Sequence, residues 1–98
     1  KIIERIEEGI NAIENIQKKK LSNDKKISLY VHLSCMIERL VRQTEIEEYT
    51  DMDLLIKNHH SEVKLIKNAF SVLEKSYSVQ IPISEIGYIY NIIYGLPQ

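Results

Sequence analysis

The chain has 98 residues, 44% apolar and 28% charged, with 3 Gly and 2 Pro. That is the size and balance of one globular domain, and too little Gly and Pro for a turn-rich β-sandwich. A formal net charge of −1 excludes a whole-domain nucleic-acid surface, which would be strongly basic.

One cysteine, Cys35, excludes an internal disulfide and favours a reducing compartment. No apolar run approaches the ~18 residues of a membrane span, and no signal-peptide pattern is present. The chain begins at Lys1, without Met and already in helical pattern. The expectation is a single soluble, cytoplasmic domain, residues 1–98, excised from a longer chain.

The first predicted helix runs from about Lys1 to Lys18. Ile3, Ile6, Ile10 and Ile13 make one apolar stripe, and Glu4, Glu7, Glu8 and Glu14 occupy the other faces. Lys18, Lys19 and Lys20 suit a helix C-terminus, and Leu21–Asn23 is a loop. The second helix starts near Asp24, as N-cap, and ends near Gln43. Ile27, Val31, Ser34, Glu38 and Val41 lie on one side of it, and Tyr30, Leu33, Ile37 and Leu40 on another. That pattern predicts burial on more than one face. Thr44–Thr50 is a polar, acidic connector.

A short third helix covers about Met52–Asn58, capped by Thr50 or Asp51. The fourth covers about Ser61–Tyr77, with Val63, Ile66, Phe70, Leu73 and Tyr77 as its stripe. Ser78–Ile81 is extended, because the residue before Pro82 avoids helical angles. The fifth helix opens at Pro82–Ser84 and ends near Gly95, and Pro97 prevents continuation. Five helices and no sheet are expected, as an all-α bundle of antiparallel helices.

Four constellations bear on chemistry. On the second helix His32, Cys35, Met36 and Arg39 share a face, with Glu38 beside them. A neutral imidazole accepts a phosphoryl group near pH 7, and an arginine one heptad away steadies phosphate through its planar fork. The competing reading is a hydrogen-bonded bundle histidine with Arg39 in a structural ion pair.

The adjacent His59 and His60 point in different directions, so they make a poor metal site and read as a solvated junction. Lys18, Lys19, Lys20, Lys25 and Lys26 cluster at the first turn, and Glu45, Glu47, Glu48, Asp51 and Asp53 follow the second helix. Both read as solvated ends. In Pro82–Ile89, Glu85 sits at the positive end of the helix dipole, and Gly87 marks close backbone packing. No catalytic triad, phosphate-cradling glycine loop or carboxylate pair is present, so no enzyme, metal or cofactor is expected.

Two segments together resemble a family. The segment from His32 to Leu40 carries a histidine followed seven residues later by arginine, and Ile81–Ile89 follows about fifty residues on. In that order they resemble the PTS regulation domain of bacterial transcriptional regulators, over about Ile2–Tyr94. The resemblance implies a five-helix bundle that dimerises and is phosphorylated on histidine by HPr or by IIB components. Its members control sugar-utilisation operons.

His32 matches the family's first histidine position, which makes it the phosphoacceptor, with Arg39 stabilising the phosphate. The second position, seven residues after the glutamate, holds Ile92. The residue before the first histidine is Val31, where aspartate is common. These departures resemble the second such domain of levanase-type activators. They also leave open a degenerate dimerisation or interdomain spacer. A nucleic-acid-binding module would rest on the lysine turn alone, so no direct nucleic-acid contact is expected. Tyr88, Ile92 and Tyr94, partly off the Ile86–Ile89–Ile93 face, are the expected homodimer surface.

Overall fold

The three-and-four spacing becomes helix along almost all of the computed structural model, which describes residues 1–44 and 46–95. The helices are α1 (Ile2–Gln17), α2 (Asn23–Val41), α3 (Met52–Asn58), α4 (His60–Ala69), α5 (Ser71–Tyr77) and α6 (Ile83–Tyr94). No strand occurs among the described residues. The expected fourth helix is bent into α4 and α5, and counting that pair as one gives the five-helix, all-α bundle. Glu45 of the acidic cluster and the Pro97 stop lie outside the described residues.

The core is aliphatic. Ile6, Ile10 and Ile13 of α1 meet Leu29, Leu33 and Met36 of α2, Ile66 of α4, Leu73 of α5, and Ile86, Ile89 and Ile93 of α6. α1 packs on α4, α5 and α2, and α6 packs on α4, α2 and α3. Burying an aliphatic side chain of this size stabilises the fold by about 1.5–3 kcal/mol. Phe70 explains the bend. Its ring lies on Gly9 of α1, where a Cβ would come within 2.4 Å of ring carbons. The next residue, Ser71, donates its hydroxyl to the Asn68 carbonyl at 2.8 Å, a local bond that competes with the helical ladder.

Several local expectations are corrected. α2 is capped by Ser22, whose Oγ accepts the Lys25 N–H at 3.3 Å, and Asp24 sits inside the first turn. α2 is also buried on one face only: Ile27, Val31 and Val41 are exposed by 60%, 62% and 58%. The bundle closes over Leu29, Leu33, Met36 and Ile37 and leaves the opposite side uncovered. Ile3, expected in the stripe of the first helix, is largely exposed.

Glu14, expected on a polar face, is buried. It accepts the Leu21 N–H at 2.7 Å and lies 3.5 Å from the Lys26 ammonium, so it pins the turn that reverses the chain between α1 and α2. Lys25, exposed as expected, also donates its ammonium to the Ile93 carbonyl at 2.6 Å. There it satisfies one of the carbonyls that a helix C-terminus leaves open.

Candidate functional site

The site is the seam between α2 and the start of α6. Pro82, extended at φ −61° and ψ 152°, precedes the first residue of α6, and its fixed φ suits a helix entrance. Glu85 then falls in the first turn and points inward, where it is fully buried. Two residues of α2, seven apart and so on one face, close on it. Arg39 Nη1 donates to Glu85 Oε2 at 2.5 Å, and His32 Nε2 lies 3.3 Å from Glu85 Oε1. The His32 and Arg39 side chains keep 25% and 29% of their surface open to solvent. A buried acid is thus bridged to the outside by a histidine and an arginine.

Burial alone pushes a carboxyl up, because it penalises the charged form. Here the hydrogen bonds from His32 and Arg39, with the guanidinium charge, outweigh burial, and the Glu85 carboxyl titrates below its usual range. The acid is therefore ionised at neutral pH. An ionised carboxylate only accepts, so Arg39 donates to it and a protonated Nε2 would do the same.

The expected partners are partly re-sorted. His32 and Arg39 do come together, but on Glu85 and not Glu38, which pairs with Arg42 on the outer face at 3.0 Å. Cys35 is exposed and Met36 is in the core, so neither joins the site. His59 is not a solvated junction: half-buried, its ring centroid lies 5.2 Å from that of Tyr90. His60 is exposed. No group of three or more His, Cys, Asp or Glu able to hold a metal exists among the described residues. Glu85 was legible in the sequence as a member of the second motif, but its pairing with Arg39 spans 46 residues and no local spacing reports it.

The connector before α3 braces the same end of α6. The Tyr49 N–H donates to Ser84 Oγ at 3.1 Å, and its hydroxyl donates to Asn91 Oδ1 at 2.7 Å. Tyr88 donates its hydroxyl to the Glu47 carbonyl at 3.0 Å and meets the Tyr49 ring edge-on. Gly87 is what allows this, since a Cβ there would lie 2.5 Å from the Tyr49 ring. Tyr94 is likewise committed within the chain, to Gln17 Oε1 at 3.0 Å. Tyr88, Ile92 and Tyr94 are only partly exposed and pack against the core, so little of the expected homodimer surface is free.

No described helix is long and apolar enough to cross a membrane. Comparison with curated proteins and with solved structures returns no match to the chain. The model of one family, the PRD domain, matches residues 2–96, a span that contains the entire bundle and both halves of the His32–Glu85–Arg39 site. The chain therefore belongs to the PRD domain family, a family of regulatory domains.

Proposed function

We propose that the chain is a phosphorylation-responsive domain of a cytoplasmic transcriptional regulator of sugar use. His32 is its phosphoacceptor, HPr or a IIB component is the donor, and Arg39 is the phosphate-binding residue. The observation that carries this reading is the buried Glu85 carboxylate shared by a histidine and an arginine that both reach solvent. A lone-pair nitrogen of neutral His32 attacks the phosphorus of the donor's phosphohistidine. The new N–P bond forms as the donor's N–P bond breaks, and the donor ring leaves as neutral imidazole.

The product adds about −1.5 to −2 charges within reach of Glu85. Two anions then compete for Arg39. If the guanidinium turns to the phosphate, Glu85 is left buried without its counter-charge, an arrangement that low dielectric makes costly. The relief is a shift of α2 against α6, which passes the signal to whatever rests on those helices. In this reading two copies of the domain assemble, and the contact between them responds to the shift. The absence of a histidine from the family's second position, where Ile92 stands, supports kinship with the second such domain of levanase-type activators.

The test is incubation of the chain with phosphoenolpyruvate, enzyme I and HPr, and separately with a phosphorylated IIB component. Acid-labile label is expected, lost in His32→Ala and kept in the His59→Ala/His60→Ala double variant. Absence of label from both donors, or label that survives His32→Ala, sinks the reading. A spacer without phosphorylation would then be the better account, and Ile92 together with an Arg39 already engaged by Glu85 is what favours it.

A further inference from the structure

The outward face of α2 is apolar where a bundle helix is ordinarily charged. At about 100° per residue, Ile27, Val31, Ser34, Glu38 and Val41 fall in one band about 80° wide. The core residues Leu29, Leu33 and Met36 lie on the opposite side. The three aliphatic members of the band are all more than half exposed. Cys35 borders it on the side of His32 and Arg39 and is itself exposed.

We infer that this band is the contact surface for a second copy of the chain, packed α2 against α2 in antiparallel fashion about a two-fold axis at Ser34. This names the surface for the two-copy assembly proposed above and rests on that part of the reading, but not on phosphorylation. The two ends of the band are complementary in that arrangement, and Glu38 of one copy falls alongside Val31 of the other. Ser34 is small and lets the helices approach at the axis. Ile27 and Val41 are each seven residues from it, so the aliphatic end of one copy meets that of the other.

The charges match as well. Asp24 and Arg42 lie on the same flank of the helix as Cys35. The two-fold brings Asp24 of one copy alongside Arg42 of the other, offset by about 3 Å along the axis at 1.5 Å per residue. Arg42 already holds Glu38 of its own helix, which draws that carboxylate to the margin of the seam. An isologous contact of this kind closes after two subunits. By the same period His32 and Arg39 lie about 80–100° beyond the band, so the sites of both copies stay on one flank of the pair, outside the seam, and a shift of α2 against α6 reaches the contact through α2 itself.

The test uses the unphosphorylated chain throughout, so its outcome is independent of labelling at His32. Sedimentation velocity is expected to give twice the 11.5 kDa of one chain, and a short bismaleimide is expected to join the two Cys35 thiols. Val31→Glu, on an exposed position, is expected to return the single-chain mass with its helical circular dichroism unchanged. Asp24→Arg is expected to weaken association at least about tenfold, and adding Arg42→Asp to restore it; tenfold corresponds to about 1.4 kcal/mol. A single-chain mass at millimolar concentration overturns the inference. So does a dimer that survives Val31→Glu, or one whose Cys35 thiols do not cross-link.

Discussion

Glu85 shows what one residue decides here. Among the described residues, its carboxylate is the one polar link drawn from inside the α2–α6 seam to His32 and Arg39. Removing it leaves the Arg39 guanidinium without its counter-charge, beside His32 and over a vacated pocket. Losing one partner of a fully buried pair costs about 3–5 kcal/mol, and the solvent access of His32 and Arg39 reduces that. Glu85→Ala is expected to lower stability by about 2 kcal/mol, read from the urea midpoint at pH 7. The Arg39→Ala/Glu85→Ala double variant should lose clearly less than the sum of the singles, because the pair is one interaction. Additive losses would mean that the contact contributes nothing as a pair.

At the scale of the element, two positions are set by backbone geometry. α5 ends on Ser78 at φ 54° and ψ 47°, the left-handed conformation in which a side chain is strained by roughly 1–2 kcal/mol. Ser78 is exposed, so Ser78→Gly relieves the strain and loses no packing. The expected gain is about 1 kcal/mol, which raises the thermal midpoint of a domain this size by about 4–8 °C. Gly87 is the opposite case. The ring it touches belongs to Tyr49, which is hydrogen-bonded through both its N–H and its hydroxyl and cannot retreat without losing those bonds. Gly87→Ala is expected to destabilise by about 1–3 kcal/mol despite its better helix propensity, and to increase hydrogen exchange at the Tyr49 amide. Unchanged exchange there would show that the connector accommodates the methyl group.

The whole molecule carries a pH dependence that comes from Glu14 and Glu85, the two acids buried among the described residues. The Glu14 carboxyl is held down by the N–H of Leu21, against the opposing effect of burial, with Lys26 and Lys20 adding to it. Glu85 is held down by His32 and Arg39 against the same opposing burial. Both titrate lower in the folded chain than unfolded, where glutamate lies near ~4.3. Folding therefore favours their ionised forms. The stabilisation is complete above the unfolded value and is lost as pH falls through the lower folded values. Urea midpoints are expected to be flat with respect to these two groups between about pH 6 and 7 and to drop below about pH 4. A Glu14→Gln/Glu85→Gln variant should start lower and show a shallower acid drop, and an equally steep drop would place the acid sensitivity elsewhere.

Helix positions, the all-α class and the two motifs were written in the sequence, because they depend on periods of three and four and on Pro and Gly, which act within a few residues. The pairing of His32 with Arg39 was visible for the same reason: seven residues on one helix is a local distance. Other features were not local. Glu14 reads as one more surface acid, and its burial follows from where the chain reverses into Leu21. Ile27, Val31 and Val41 read as core, since composition says that a helix has two apolar faces but not which of them its own bundle covers. Glu85 reads as a dipole-favoured acid at a helix start, and only the packing of α6 against α2 makes it the buried acid shared by a histidine and an arginine. The sequence by itself determined which segments are helical and which face of each is apolar, because hydrogen bonding and side-chain period act along the chain. The tertiary structure alone decided which acids are buried and which apolar face stays open, because burial depends on what other segments place beside a residue.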